Sequence, residues 1–255
     1  MGIKLKIYSW NINGYNTCNK YGGFSTLLEK QPDIICLQEV KVSNPDTLRN
    51  CFTMSYEHFY NFSANKGHNG VYIFSRQKPI CCIKALGMEK FDTDGRFLCL
   101  EYEDFYLINV YMPHGGRDKA NLPYKLESYC YLEKFMAKLA QKNVIVVGDF
   151  NIALSELDLK NYRQNKNNIM FTKEERETLS RLLQCGYLDI FRDRFPDTRK
   201  YTWWPYAYDA RNRDIGWRID YCLVSEGLTG KVKEIEILKE VLGSDHCPIG
   251  VEVEI

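Results

Sequence analysis

Apolar and charged residues alternate from the first positions, Ile3, Leu5 and Ile7 against Lys4 and Lys6. This two-residue period predicts a strand, which stops at Trp10-Asn11-Ile12-Asn13-Gly14 in two amides and a glycine. The run Ile34-Ile35-Cys36-Leu37 has no alternation, so it predicts a strand covered on both faces; it ends in Gln38-Glu39, with Lys41 just beyond. The strongest signal of this kind is Val144-Ile145-Val146-Val147, which leads directly into Gly148-Asp149-Phe150-Asn151. Side chains alternate along extended backbone, so Asp149 and Asn151 are expected on the same side.

Residues 22–30 pattern as a short helix closed by Gln31-Pro32, and residues 65–70 as a glycine-containing turn opening a strand at Val71-Tyr72-Ile73-Phe74. Strands over 97–102 and 105–113 are joined at Glu103-Asp104 as a hairpin. Leu122, Leu126, Tyr129, Leu132, Met136 and Leu139 keep helical spacing and predict one long amphipathic helix before the central strand. Thr172 with Glu175 three residues later is a capping box for a helix through Leu183. Residues 201–218 are irregular and dense in aromatics and arginine, and strands follow at 219–224, 235–238 and 249–255. Many strands with few helices predict two sheets packed face to face with helices outside, and the polar strand ends predict a site along one rim. No linker-like segment interrupts the 255 residues, so one domain over 1–255 is expected.

Composition narrows the setting. A formal net charge of +1 means that any nucleic-acid surface must be a local basic face. The 14% aromatic share calls for surfaces to sit on as well as a core to fill. Ten scattered cysteines, with no Cys-x-x-Cys pair, read as reduced thiols. No signal peptide, N-terminal extension or apolar run of membrane-spanning length is recognisable, so a soluble, intracellular (cytoplasmic, prokaryote-like) protein without a membrane partner is expected.

Hard oxygen ligands such as Glu39 suit magnesium, which binds through one or two carboxylates and retains waters. His246 precedes a predicted strand, and Asp220 is available to fix its tautomer. Asp149 and Asn151 can activate and orient a water while Asn11 and Tyr111 bond phosphate oxygens. No serine or cysteine nucleophile motif is present, so metal-assisted attack of water on a phosphate ester is the predicted reaction class.

Six ordered motifs sharpen this reading: Trp10-Asn11-Ile12-Asn13-Gly14, Leu37-Gln38-Glu39-Val40-Lys41, Val110-Tyr111-Met112-Pro113, Gly148-Asp149-Phe150-Asn151, Gly216-Trp217-Arg218-Ile219-Asp220-Tyr221 and Ser244-Asp245-His246-Cys247-Pro248-Ile249. Together they resemble the exonuclease III family of apurinic/apyrimidinic endonucleases, within the endonuclease/exonuclease/phosphatase superfamily, from near residue 7 to the end. The resemblance implies a four-layered α/β sandwich of the deoxyribonuclease I kind, with two mixed sheets flanked by helices. It implies Glu39 as magnesium ligand, manganese being a substitute, with Asn13 nearby and Asp245 as an alternative ligand. Asp149 would activate the water or protonate the leaving oxygen, Asn151 orient the water, Tyr111, Asn11 and His246 bind the phosphate, and Asp220 pair with His246. Trp203, Trp217 and Ile219 would form a pocket for a flipped abasic sugar. Arg117, Arg163, Asn165, Lys166, Asn168, Tyr206 and Arg218 would contact DNA. His114 and Ala207 depart from relatives that carry Asn or Gln, and a bulky Met, at those positions.

The expected activity is therefore incision of double-stranded DNA 5′ to abasic sites, with 3′ to 5′ exonuclease and trimming of damaged 3′ ends, by a monomer. A rival within hydrolases is a phosphatase of a soluble small molecule such as an inositol phosphate, which would want a cup lined by lysine and arginine and has no use for the two tryptophans. A DNA-binding scaffold without catalysis would lack one of Glu39, Asp149, Asn151, Asp220 or His246, and all five are present.

Overall fold

Strands that are apolar on both sides must be covered on both sides, and this requirement produces the architecture. The structure, a computed structural model, describes residues 2–49 and 56–255. Its strands are β1 (Lys4–Asn11), β2 (Ile34–Gln38), β3 (Glu57–Asn61), β4 (Val71–Ser75), β5 (Cys81–Ile83), β6 (Phe97–Glu101), β7 (Tyr106–Tyr111), β8 (Val144–Asp149), β9 (Tyr187–Asp189), β10 (Asp220–Ser225), β11 (Val232–Ile237) and β12 (Ile249–Glu254). The α-helices are α1 (Tyr15–Lys20), α2 (Gly23–Glu29), α3 (Asp46–Arg49), α4 (Glu89–Thr93), α5 (Leu122–Ala137), α6 (Tyr162–Asn165), α7 (Lys173–Gln184) and α8 (Ile190–Arg194).

Among the described residues the strands form two six-stranded sheets, ordered β11-β12-β1-β2-β4-β3 and β5-β6-β7-β8-β10-β9. The pairs β1/β2 and β7/β8 are parallel and the other neighbours antiparallel, so both sheets are mixed. Leu5, Ile7, Cys36 and Ile73 from the first sheet meet Leu98, Leu107, Ile145 and Val147 from the second in one buried cluster. The opposite faces are covered too: Trp10, Leu37 and Tyr72 by Phe24 and Leu27 of α2, and Val144 and Val146 by Tyr129, Leu132 and Met136 of α5. This is the expected four-layered α/β sandwich of mixed sheets flanked by helices.

Gly148 shows why the central strand breaks its β-branched run. A Cβ there would lie 1.9 Å from the Val110 carbonyl oxygen, at φ 143°, so only glycine lets β8 close on β7 at the rim. The capping box forms as the sequence predicts: the Thr172 hydroxyl accepts from the Glu175 amide while Glu175 accepts from the Thr172 amide. The short strands β3, β5 and β9 and the helix α1 have no counterpart in the pattern, because three to six residues at an edge carry too little periodicity. The nine described cysteines are free thiols, and Cys51 lies outside the described residues. No helix among the described residues is long and apolar enough to cross a membrane.

Candidate active site

The carboxyl ends of two parallel strand pairs meet at one rim. Asn11 and Glu39 arrive from β1 and β2, Tyr111 and Asp149 from β7 and β8, and Asp220 opens β10 opposite Asp149. One amide joins the two sheets: Asn11 Nδ2 donates to Glu39 Oε1 and to Asp149 Oδ2, each at 2.9 Å. Asn151 also reaches Asp149, but not by strand alternation. It adopts a left-handed φ of 52°, donates its backbone N–H to Asp149 Oδ1 (2.8 Å), and sets its Nδ2 3.2 Å from Asp149 Oδ2 and 2.9 Å from the Met112 carbonyl. The expected proximity holds, and a turn rather than extended backbone produces it.

His246 Nδ1 lies 2.9 Å from Asp220 Oδ2, and its Nε2 is 3.9 Å from Asp149 Oδ2. Burial alone would lower the imidazole's pKa, but the Asp220 charge and hydrogen bond, with Asp149 and Asp245 behind them, raise it to about 10. Burial first, and the Asp220 carboxylate second, push Asp149 up to about 7 against the pull of His246. The Tyr111 phenol is driven well above its ordinary range by burial and by the Glu39 charge, so it stays a donor. The Arg96 guanidinium stacks 4.6 Å from the Tyr111 ring centre and steadies it.

Two groupings could hold a cation. Asp149, Asp220 and His246 present ligand atoms within 4.8 Å of one another, but Asp220 already occupies the Nδ1 of His246 in a hydrogen bond, with Asp149 3.9 Å from the other ring nitrogen. The oxygen set around Glu39 is the better fit for a hard cation. Burial would raise the Glu39 pKa, yet Lys41 and then the Asn11 amide hold it below the usual carboxylate value, so the group is anionic. Its side chain is 16% exposed, with the carboxylate 3.0 Å from the Lys41 ammonium. Asn13 frames this site without offering a free oxygen: its Nδ2 donates to Asp245 Oδ1 (2.9 Å) and its Oδ1 accepts from Lys41. Asp245 Oδ2 accepts from Trp203 Nε1 at 3.0 Å, which connects the acidic corner to the aromatic wall.

Beside the carboxylates lies a cleft of about 560 Å³, walled by Trp203, Trp217, Ile169 and Met170 and flanked by His114, Arg117, Lys119 and Asn168. The two indoles stand nearly perpendicular, ring centres 6.5 Å apart. Ile219, expected in the wall, is buried behind it in the cluster with Leu159, Phe171 and Trp217, and so supports the pocket without lining it. His114 accepts from the Gly116 N–H through Nδ1 (3.0 Å), leaving Nε2 as its remaining hydrogen-bonding atom. Arg117, Arg163, Lys166 and Asn168 are exposed and Asn165 is partly so. Tyr206 is 71% exposed, and its phenol interacts with Asn13.

Arg218 requires a correction. Expected as a phosphate contact, it is 1% exposed, with Nε on Asp158 and Nη2 on Asp189, both at 2.7 Å. A guanidinium wedged between two buried carboxylates cannot reach DNA; it pins the loop carrying Trp217 to β9. Asn109 and Lys125, which lie outside the motifs, also converge here. Asn109 bonds Gln38 across the sheets (2.7 Å) beneath the site, and Lys125 of α5 bonds the Asn151 carbonyl (2.7 Å). The signal for Lys125 was available: a lysine three residues after Leu122 and four before Tyr129 falls on the apolar stripe.

A family model described as "Endonuclease/Exonuclease/phosphatase family" matches residues 8–246. The chain belongs to this family. It is 39% identical to an exodeoxyribonuclease of Bacillus subtilis, over 98% of this chain and 100% of the relative. It is 37% identical to a DNA-(apurinic or apyrimidinic site) endonuclease of Dictyostelium discoideum, over 99% of this chain and 71% of that one. Among solved structures, a 3′ phosphatase from Neisseria bound to product DNA hairpin superposes with a TM-score of 0.88 at 28% identity, covering 98% of this chain and 100% of that chain. The resemblance to the exonuclease III type of AP endonuclease is thereby borne out, and the enzyme is a hydrolase of the nuclease kind.

Proposed function

We propose that this protein is a magnesium-dependent DNA repair nuclease that hydrolyses the phosphodiester 5′ to abasic sites in duplex DNA and trims 3′ ends as a 3′ to 5′ exonuclease, acting as a one-domain cytoplasmic monomer. The observation that carries the reading is the Asp149–Asn151–His246–Asp220 cluster opening beside the Trp203/Trp217 cleft. A pKa near 7 lets Asp149 take a proton from an attacking water or give one to the leaving oxygen. Asn151 has committed both Nδ2 hydrogens, so its Oδ1 is the atom that orients the water. His246, held cationic by Asp220, points Nε2 toward the same space, where with the neutral Tyr111 phenol it can donate to phosphate oxygens. Glu39, with Asp245 nearby, would hold Mg²⁺, with manganese as a substitute; when bound it neutralises charge on the phosphate oxygens.

The DNA-bound 3′ phosphatase among the neighbours supports the 3′-end component. An apolar wall of two indoles suits a bare deoxyribose better than a polyphosphorylated cyclitol, which disfavours the small-molecule phosphatase. The test is a panel of duplexes carrying an abasic analogue, a recessed 3′ end, a 3′ phosphate or no lesion, with an inositol phosphate as a fifth substrate, in magnesium and in EDTA. Magnesium-dependent cutting at the abasic analogue and at 3′ ends is expected. Release of phosphate from the inositol compound with every duplex intact would overturn the reading.

A further inference from the structure

The turn after β8 carries Asn151 but has left both sheets, so its buried carbonyls need partners from elsewhere. Side chains supply all three. Tyr129 Oη donates to the Phe150 carbonyl, Lys125 Nζ to that of Asn151 at 2.7 Å, and Tyr221 Oη to that of Ile152 at 2.8 Å. Lys125 and Tyr129 lie one turn apart on the buried stripe of α5, so a single helix face holds the turn from beneath.

Lys125 differs from the two tyrosines in being charged and wholly buried, and it is paired with an equally buried Glu175. Glu175 reaches the other wall of the cleft. Its Oε1 also accepts from the Met170 amide (3.1 Å), and its Oε2 from the Thr172 amide and hydroxyl (3.0 and 2.9 Å). Met170 lines the cleft at a left-handed φ of 70°, so its backbone conformation is one a methionine rarely holds without such support. The pair thus ties the catalytic turn to the 168–172 wall through side chains, beside the backbone bond from the Ala153 N–H to the Met170 carbonyl (2.8 Å).

We infer that Lys125 is a positioning residue for hydrolysis, holding the left-handed Asn151, and through it Asp149, in register with the cleft wall through Glu175. Resting on the nuclease reading, it assigns a role within that same site. An ion pair without function at this depth would be replaceable by apolar groups at little cost in stability. What an apolar replacement cannot supply is a donor to the Asn151 carbonyl.

The experiment separates holding the turn from holding the fold. Lys125→Met should lower kcat on the best duplex substrate by about a hundredfold, the scale of misplacing a catalytic group by about 1 Å, with KM and duplex affinity in EDTA little changed. Amide hydrogen exchange of residues 149–153 should quicken in the same variant, a readout that needs no substrate. Lys125→Met/Glu175→Gln relieves the unpaired charge, so its Tm should return toward wild type while kcat stays low. Glu175→Gln alone keeps the lysine on the Asn151 carbonyl and should retain kcat within about threefold despite a lower Tm. Recovery of kcat together with Tm in the double variant, or an equal loss of kcat in Glu175→Gln, would overturn the inference; so would unchanged exchange at 149–153. Should Lys125→Met fail to fold, the other two variants carry the test. Wild-type protein that leaves every duplex uncut refutes the nuclease reading separately, with the exchange measurement still deciding the role of Lys125.

Discussion

The rim and its surroundings are built on opposite plans. At the rim, Asn11, Asp149, Asp220 and His246 are nearly or wholly buried and hydrogen-bonded to one another, so their geometry exists before substrate arrives. Around the cleft, Arg117, Arg163 and Lys166 are exposed; the Arg163 guanidinium bonds the neighbouring Tyr162 hydroxyl (3.2 Å). Preorganised dipoles stabilise developing charge without reorganising, whereas mobile cations earn affinity from counterion release and tolerate varied geometry. The contrast teaches where turnover and where attraction to DNA are decided.

The largest expected effect breaks the buried side. Asp149→Asn should lower kcat by about 10³-fold or more while duplex affinity in EDTA holds. A smaller loss of kcat with a matching rise in KM would move Asp149 from chemistry to binding. Next comes Arg218, which divides the two plans because it looks like a surface cation and is built like a core one. Arg218→Ala strips the guanidinium from buried Asp189 and leaves Asp158 to Arg192, and should cost about 3–5 kcal/mol of stability, read as a fall in the urea midpoint, with the salt slope of DNA binding unchanged. A flatter slope would return Arg218 to the DNA surface.

A third expectation sharpens the electrostatics. If Asp149 works as a base it must be ionised, so kcat/KM should rise with pH through a limb near 7. His246 must keep its proton, so activity should fall as pH approaches about 10. Asp149 acting instead as the acid that protonates the leaving oxygen reverses the lower limb, making activity fall through 7. The smallest effect belongs to the periphery. Neutralising Arg163 or Lys166 should weaken binding to damaged and undamaged duplexes alike and reduce the salt slope by about one unit each, leaving kcat unchanged.

Legibility followed the same division. Strand ends were readable because an apolar run that halts at Gln38-Glu39 or at Gly148-Asp149 leaves two signals side by side, an unbroken apolar stretch and a polar stop. Asp220 and His246 were readable as a pair through their motifs, and the structure sets them 2.9 Å apart. What could not be read was burial of charge. Nothing local distinguishes Arg218, beside Trp217 in an aromatic stretch, from an arginine aimed at a phosphate; its partners Asp158 and Asp189 are distant in sequence. Glu175 was legible as a helix cap, which it is, but its second bond, to Lys125, depends on how α5 crosses α7.

Asn11 and Glu39 belong to one sheet, Tyr111, Asp149 and Asp220 to the other, and neither sheet alone owns a working set. Enzymatic activity is therefore a clock for the last stage of folding. During refolding from denaturant, secondary structure can return while the layers are still apart, but cleavage must wait for Ile7, Cys36, Ile145 and Val147 to interlock and draw the Asn11 amide between its two carboxylates.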